Sequence, residues 1–299
     1  RHGVDLGKRK FPMKGSYRSK FGLLTREELR NSPSRQHGIS FQNECVLRMD
    51  AIKWISKAGE SLKMEQMSIA TASVYFHRLY CRYSFKDYDR ELVACTCLFL
   101  AGKTEETRKK LDDVVDHFNY VIHCRVKGKT KRPSKSSQEF KQFRAKVIEM
   151  EAVLMEALEF KFYVAHPYPL LISNLRKLFP DKDGVHGKDL GGQKGLAQLA
   201  WFFVNDSLRT TLCLTHPPQK IALAAIYLAL KNKRFDYDKE FKREGKPWCE
   251  DFNSSENEVK GIAESILDAY SKEQKARESK TVPGYVILAY ALIATCLYC

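Results

Sequence analysis

Two Gly-Lys-Thr triplets are the first residues in this sequence whose types and spacing could do chemistry. They are Gly102-Lys103-Thr104 and Gly128-Lys129-Thr130. A phosphate-binding loop needs a further glycine five positions before the Gly-Lys pair, following a strand, so that backbone amides can surround the phosphate. The sequence has Cys97 and His123 at those positions, and no strand pattern precedes them. Nucleotide binding through such a loop is therefore excluded.

Side chains that could hold a metal ion are scattered along the chain. Cys296 and Cys299 form a lone Cys-x-x-Cys pair, while His117, His123 and Cys124 lack a fourth ligand at any standard spacing. A structural zinc site needs four such ligands. The sequence predicts no metal ion and no cofactor.

The remaining candidates for acid, base or nucleophile are isolated. His77 falls on the apolar face of a predicted helix, where a hydrogen-bonded core histidine is expected rather than a catalytic base. Glu105 and Glu106 are adjacent and therefore point to different sides of a helix or its cap. No catalytic pair or triad follows from the spacing, so the protein is not predicted to be an enzyme.

The composition is that of a basic, intracellular protein. Among 299 residues, 51 Lys and Arg stand against 36 Asp and Glu, which gives a formal net charge of +15. Such an excess favours an acidic partner: nucleic acid, a phosphorylated chain or a membrane surface. Cysteines in apolar runs (Cys81, Cys95, Cys97 and Cys213) indicate reduced, buried thiols. Residues 1–24 are basic and carry no secretory signal, so a reducing compartment is expected.

The elements that must position these side chains are helices. Apolar residues recur at helical spacing from Glu44 to about Leu178, and no alternation of period two is sustained, so the predicted fold class is all-α. Helices are predicted over 91–103, 110–122 and 138–158. Capping boxes mark helix starts at Thr25–Glu28, Ser136–Glu139 and Ser255–Glu258. The last of these helices is predicted to end near Tyr270.

An internal repeat organises the chain. Residues 93–103 (VACTCLFLAGK) align without gaps on residues 221–231 (IALAAIYLALK). Both segments are about three turns of helix, apolar nearly all round and rich in small residues, as expected at the centre of a bundle. The sequence therefore predicts two copies of one small helical domain, each built around its own buried helix.

Three segments fall outside this helical pattern. Residues 1–24 form a basic arm. Residues 285–299 form an uncharged apolar run that is short for a membrane-spanning helix, so no membrane is expected as a partner. The loop at 124–137 holds six basic residues and no acid, and it is either a nucleic-acid or nuclear-import patch or simply a solvated loop.

Several motifs, in order along most of the chain, resemble the cyclin family. Residues 47–54 (LRMDAIKW) resemble the opening helix of a cyclin box, and residues 99–106 (FLAGKTEE) resemble the signature that ends its central helix. Met150-Glu151 and residues 158–162 (LEFKF) are similar to its last helix.

Two further motifs are similar to the transcriptional cyclins. Residues 31–35 (NSPSR) resemble the segment that leads into the box in types K and T, and residues 201–208 (WFFVNDSL) are more similar to type K. Asp50 departs from the pattern of cell-cycle cyclins, which use an apolar patch there to dock substrates, so such docking is not expected.

The resemblance implies an organisation and a function. It implies a basic arm with a short helix at 1–33, cyclin boxes of about five helices each at 34–165 and 166–278, and an apolar tail of unknown status at 279–299. Family members activate a cyclin-dependent kinase. In types K and T that kinase belongs to the transcription-elongation group and phosphorylates the C-terminal repeats of RNA polymerase II. A nuclear, non-catalytic activating subunit is therefore expected.

The resemblance also implies which residues face the kinase. Lys103 and Glu151 would form a central polar pair, with two acids near the activation segment of the kinase and apolar contacts around them. Spacing alone favours an internal salt bridge for Lys103 and Glu151 and ordinary core positions for Phe160 and Phe162, and the resemblance reverses that preference. The residues implied at the kinase interface are Lys103, Glu105, Glu106, Glu151, Met155, Phe160 and Phe162.

Two other functions are compatible with the sequence. A DNA-binding general factor similar to transcription factor IIB also carries two cyclin-like repeats, and a charge of +15 suits DNA. That family has an N-terminal zinc ribbon, however, whereas residues 1–40 contain no cysteine. The second alternative is RNA contact through the basic arm and the 124–137 loop.

Overall fold

Helices make up the regular structure of the protein wherever the structure describes it. A computed structural model describes residues 22–179, 192–240 and 245–278, and these ranges contain no strand. The predicted all-α class is confirmed. The helices of the first half are α1 (Arg26–Arg30), α2 (Pro33–Gln36), α3 (Phe41–Ser61), α4 (Gln66–Arg82), α5 (Arg90–Thr104), α6 (Leu111–Asn119) and α7 (Gln138–Ala157). Those of the second half are α8 (Pro167–Leu178), α9 (Gly192–Ser207), α10 (Leu212–Thr215), α11 (Pro218–Asn232), α12 (Tyr237–Glu240) and α13 (Glu256–Glu278).

The helix α5 is the centre of the first half. The carboxylate of Asp89 caps its start by accepting a hydrogen bond from the Leu92 amide at 2.9 Å. Nine of its fifteen residues are buried, and α3, α4, α6 and α7 pack around it. Small side chains such as Ala94 and Ala101 let those helices approach closely.

The helix α11 has the same place in the second half. It also has fifteen residues, nine of them buried, and α8, α9 and α13 pack against it. Its buried positions correspond one for one with those of α5 when residues 93–103 are aligned on 221–231. This agreement supports the predicted repeat, while the domain boundaries at residues 34, 166 and 279 stay a prediction.

Two of the three predicted helix caps are confirmed and one is displaced. Thr25 and Glu28 form a reciprocal capping box at α1, and the Ser255 hydroxyl accepts from the Glu258 amide at 3.3 Å before α13. The prediction that Ser136 caps α7 is wrong. Ser136 is instead hydrogen-bonded within the preceding turn, and Ser137 accepts from the Phe140 amide at 3.2 Å.

Two predicted helix ends differ from the structure. The helix predicted over 110–122 is divided, because α6 gives way at Tyr120 to a π-helix, Tyr120–Val126. The helix α13 continues to Glu278, eight residues past the predicted end at Tyr270.

A chain of buried polar groups joins the two halves. The Ser32 hydroxyl donates to Glu44 at 2.7 Å, and Glu44 accepts from Arg48 Nη2 at 2.8 Å. Arg48 Nη1 lies 3.3 Å from Nδ1 of His77, whose Nε2 donates to the carbonyl of Leu208 at 2.8 Å. His77 is fully buried, and burial, with the charge of Arg48, lowers its pKa to about 3. The predicted core histidine is confirmed.

Some predictions concern residues that the structure does not describe. Most of the basic arm (1–21) and the apolar tail (279–299) lie outside the described residues. Within the described ranges, no helix combines the length and apolar character needed to cross a membrane. The cysteines there are free thiols; Cys95 and Cys97 are buried as predicted, whereas Cys81 and Cys213 are only partly buried.

Candidate functional site

Lys103 and Glu151 form an ion pair that joins α5 to α7. Lys103 lies in the last turn of α5, and its Nζ donates to both carboxylate oxygens of Glu151, at 2.7 and 2.9 Å. Nζ also lies 4.1 Å from the centre of the Phe99 ring, one turn back. The side chain of Lys103 is 42% exposed and that of Glu151 is 15% exposed. The pair therefore bridges two helices and at the same time remains open to a partner.

Apolar side chains of α7 flank this pair. Ile148 lies one turn before Glu151 and is 47% exposed, and Met155 lies one turn after it and is partly buried. The three residues share one face of α7, as predicted for Glu151 and Met155. Sequence reasoning missed Ile148, although its spacing of three residues from Glu151 was a usable signal.

The turn that follows α7 presents aromatic rings. Glu159 and Phe160 have φ angles of 52° and 57°, a left-handed conformation that is uncommon for residues with a side chain. Phe160 is 66% exposed, so the alternative that it is ordinary core is wrong. Phe162 is partly buried, with its ring centre 6.1 Å from that of Phe160. Tyr163, which sequence reasoning also missed, is 85% exposed.

Contacts with α4 hold this turn in place. The Glu159 carboxylate pairs with Arg82 on α4 and with Lys161 at 2.7 Å. Hydrogen bonds from Lys161 and Arg82 lower the pKa of Glu159 to about 2. The Tyr75 hydroxyl, also on α4, donates to the carbonyl of Phe162 at 2.6 Å. The exposed rings are therefore presented on a fixed backbone.

The two glutamates after α5 lie in different environments. Thr71 donates to the Glu105 carboxylate at 2.7 Å, and Thr71 Oγ1 also lies 2.7 Å from Nε2 of His166. Burial lowers the pKa of His166 to about 4, so its neutral ring donates through Nε2 to Thr71. Glu105 is thereby turned inward and partly buried. Glu106 is exposed, with a positive φ of 58°.

The arrangement exposes an ion pair and apolar side chains on one face of the molecule. An ion pair flanked by exposed apolar side chains offers a partner both a charge pattern that sets orientation and apolar area to bury. Gly102-Lys103-Thr104 lies at the C-terminal end of α5, whereas phosphate binds at the N-terminal end of a helix. No cluster of three potential metal ligands occurs in the described ranges. We name this region the α5–α7 surface and define it by Lys103, Glu106, Ile148, Glu151, Met155 and Phe160.

Three of the six basic side chains of the 124–137 loop pair with acids of neighbouring helices. Lys127 pairs with Glu91 on α5 at 2.9 Å. The two other ion pairs reach α6: Arg132 pairs with Asp116 through Nε and Nη2, and Lys135 pairs with Asp113. Lys129 and Lys131 are exposed, and neither is in an ion pair with a described residue.

Known proteins similar to this chain are cyclins. A family model described as "Cyclin, N-terminal domain" matches residues 20–163. Cyclin pch1 of Schizosaccharomyces pombe is 32% identical over 266 residues, which cover 89% of this chain and 73% of that protein. Cyclin-K of Homo sapiens is 34% identical over 254 residues, which cover 83% of this chain and 40% of that protein. Cyclin-T1-4 of Arabidopsis thaliana is 33% identical over 254 residues, covering 85% and 44%, so the chain spans less than half the length of these two relatives.

Solved structures share the fold. A chain of the yeast RNA Pol II CTD kinase CTDK-1 complex has a TM-score of 0.61 at 21% identity, covering 83% of this chain and 72% of that chain. A chain of the yeast TFIIK (Kin28/Ccl1/Tfb3) complex has a TM-score of 0.55 at 18% identity, covering 82% and 95%. At these identities the likeness concerns the fold alone.

The fold and the site together define a class of protein: two similar helical repeats, with an ion pair and exposed apolar side chains where the first central helix ends. The chain belongs to the cyclin family. Cyclins are non-catalytic regulatory subunits of cyclin-dependent kinase complexes, so the prediction that this protein is not an enzyme is confirmed.

Proposed function

We propose that this cyclin binds a cyclin-dependent kinase of the transcription-elongation group through the α5–α7 surface and activates it toward the C-terminal repeats of RNA polymerase II. The observation that carries the proposal is the exposed Lys103–Glu151 pair, held between α5 and α7 inside an apolar rim. Relatives named as cyclins of types T and K, together with a structural neighbour from a polymerase II CTD kinase complex, support this kinase class.

The geometry of the α5–α7 surface suits the task of holding a kinase in its active arrangement. Full burial of an exposed apolar side chain contributes about 1.5–3 kcal/mol, so Ile148 and Phe160, which are 47% and 66% exposed, can each contribute about 1–2 kcal/mol on binding. The turn that carries Phe160 is already fixed by Tyr75 and Arg82, so little conformational entropy is lost there on binding. We therefore expect the mobile elements of the kinase to adjust to the cyclin.

The test is co-purification of the tagged chain with candidate kinases from its source organism, followed by phosphorylation of polymerase repeats with and without the chain. Lys103→Glu and Glu151→Lys should each abolish activation in a folded protein, because an unmatched charge at an interface costs about 2–5 kcal/mol of binding. Lys231→Glu is the matched control, since Lys231 is the corresponding exposed lysine of α11. It should leave activation unchanged.

Two results would change the proposal in different ways. Normal activation by folded Lys103→Glu and Glu151→Lys would remove the α5–α7 surface from the proposal and leave the family membership intact. A folded chain that recovers no kinase, yet binds DNA in a salt-sensitive manner, would favour the general transcription factor alternative.

We infer the finer assignments from the sequence motifs: type K rather than type T, a nuclear location, and cyclin boxes at 34–165 and 166–278. Identities of 34% with Cyclin-K and 33% with Cyclin-T1-4 do not separate the two types. The identity of the kinase that co-purifies would decide between them.

A narrower proposal concerns RNA. Lys129 and Lys131 of the 124–137 loop keep their charge open to solvent, so we propose only a weak RNA contact at this loop. Replacing both lysines with alanine should reduce the salt dependence of single-stranded RNA binding by about 1.4 in the slope of log K against log salt. An unchanged slope would remove the loop as an RNA contact.

A further inference from the structure

The loop before α7 is fastened to α6 by two ion pairs that flank one serine. Arg132 donates to Asp116 through Nε at 2.7 Å and Nη2 at 2.8 Å, and Lys135 donates to Asp113 at 2.9 Å. Both acids lie on α6, one turn apart. Ser134 lies between the two bases in the chain, so its backbone is held from both sides.

Ser134 is accessible and chemically free to react. It is exposed, it precedes α7 in a segment without regular secondary structure, and its hydroxyl bonds only within the loop, to Ser136 at 2.9 Å. Lys131 and Arg132 stand three and two residues before it. Kinases with an acidic peptide-binding groove select serines preceded by such bases, because the charges are complementary.

We propose that Ser134 is a phosphorylation site for a basophilic serine/threonine kinase, and that the Arg132–Asp116 and Lys135–Asp113 ion pairs form a clamp which the phosphate opens. The kinase transfers the γ-phosphoryl group of ATP to Ser134 Oγ. The O–H bond breaks as the O–P bond forms, the proton passes to a base of the kinase, and ADP leaves.

The phosphate opens the clamp by competing for its bases. It carries a charge of about −1.5 to −2 and binds guanidinium groups in the same bidentate manner as a carboxylate. Arg132 and Lys135 are near neighbours of Ser134 in the chain, so they can reach the phosphate without a large movement. The acids left on α6 then repel the phosphate, which drives the loop away from α6.

A second serine motif in the chain shows why exposure decides between candidate sites. Residues 32–35 (SPSR) match the pattern that proline-directed kinases select, yet Ser32 is only 3% exposed and donates to the buried Glu44 at 2.7 Å. The serine of this proline-directed motif is therefore inaccessible to a kinase in the folded protein. Ser134 is open.

The site is independent of the proposed function. Ser134 precedes α7, and Glu151 lies 13 residues after the start of that helix, which corresponds to about 20 Å along the axis. The Arg132–Asp116 and Lys135–Asp113 pairs share no residue with the α5–α7 surface, so the modification can be tested on the free chain.

The first experiment phosphorylates the full chain with the catalytic subunit of cAMP-dependent protein kinase and maps the phosphate by mass spectrometry. Ser134→Ala should lose the phosphate, and Ser136→Ala should keep it. Lys131→Gln removes a recognition base outside the clamp and should lower kcat/KM about tenfold, the equivalent of one 1.4 kcal/mol contact. Asp116→Asn frees Arg132 for the kinase and should raise kcat/KM severalfold.

The second measurement follows amide hydrogen exchange in residues 128–136. Phosphorylation should speed exchange there, and Asp116→Asn should do so without phosphate, because each opens the clamp. Phosphate on Ser136 or Ser137 in place of Ser134, or no incorporation in either wild type or Asp116→Asn, would overturn the assignment of the site. Unchanged exchange after stoichiometric phosphorylation of Ser134 would overturn the clamp.

Discussion

The central helices of the two repeats, α5 and α11, agree in backbone and differ in charge. Each has fifteen residues and nine buried positions in the same register. The second residue after each helix has a positive φ, 58° at Glu106 and 54° at Arg234. Two glutamates follow α5, however, whereas Lys233 and Arg234 follow α11. The two central helices thus have the same length, buried register and turn conformation, and they differ in the side chains exposed after the helix C-terminus.

This difference separates what folding requires from what binding requires. A helix C-terminus carries partial negative charge, so bases stabilise it and acids destabilise it by about 0.3–1 kcal/mol each. Lys233 and Arg234 follow this preference, and Glu105 and Glu106 oppose it. Glu105 is compensated by the hydrogen bond from Thr71, but Glu106 has no such bond among the described residues. An exposed acid that the fold disfavours is better explained by a partner, which supports including Glu106 in the α5–α7 surface.

The largest expected effect tests whether the two cores are equivalent. Leu98→Ala in α5 and Ile226→Ala in α11 remove corresponding side chains that are fully buried. Each should lower the free energy of unfolding by about 2–5 kcal/mol, because each leaves a cavity in the core. Urea denaturation monitored by circular dichroism measures both. A loss below about 1 kcal/mol at one site only would show that one repeat tolerates a cavity and that the cores are not equivalent.

A smaller effect should appear with pH at the contact between the repeats. Buried His77 has its pKa lowered from 6.5 to about 3, so below pH 6.5 the unfolded chain binds a proton that the folded chain refuses. The free energy of unfolding should therefore fall as pH drops, by about 2 kcal/mol from His77 between pH 6.5 and pH 5.

The control for this pH effect is a variant without the titrating group. Folded His77→Gln should lose stability less steeply between pH 6.5 and 5 than the wild type, as measured by urea denaturation at each pH. His166, whose pKa burial lowers to about 4, remains in the variant and accounts for a residual slope. Equal slopes in the two proteins would show that His77 does not link folding to protonation.

Sequence reasoning succeeded where structure is local and failed where it depends on distant residues. The bounds of α5 and α7 lie within one residue of the prediction, because periodicity and capping side chains are encoded nearby. The exposure of Phe160 was not predictable, since its left-handed turn carries no glycine and is held by Tyr75 and Arg82, more than 70 residues earlier. The pairing of Lys127, Arg132 and Lys135 in the basic loop likewise depends on acids of α5 and α6.

A third prediction distinguishes the binding role of Lys103 from a structural role. Lys103→Met keeps most of the apolar stem and removes the exposed ion pair with Glu151, so unfolding should become easier by at most about 1 kcal/mol. Lys231→Met should change stability by less than about 0.5 kcal/mol, because Lys231 is exposed. Thermal denaturation compares the two variants with the wild type. A loss of several kcal/mol for Lys103→Met would make the pair a structural latch and weaken its assignment to the kinase interface.

The smallest expected effect tests the shared backbone directly. Glu106 and Arg234 are held at positive φ, which costs about 1–2 kcal/mol for a residue with a side chain, whereas glycine adopts it without that cost. Glycine also loses more backbone entropy on folding, by about 0.5–1 kcal/mol. The backbone change alone should therefore leave stability unchanged or raise it by a few tenths of a kcal/mol at either position. Loss of the charge adds to this gain in Glu106→Gly and subtracts from it in Arg234→Gly, as urea denaturation would show.

Alanine at the same two positions is the control that isolates the backbone. Alanine removes the same charges as glycine but keeps the strain of a positive φ, so Glu106→Ala and Arg234→Ala should each be less stable than the glycine variant by about 0.5–1 kcal/mol. Because the charges of Glu106 and Arg234 are opposite, an electrostatic effect would have opposite signs in the two repeats. If the glycine and alanine variants differ in stability by the same amount at Glu106 and at Arg234, the difference arises from the backbone conformation that the two turns have in common. Unequal differences would show that the turns after α5 and α11 are not equivalent, although the helices are.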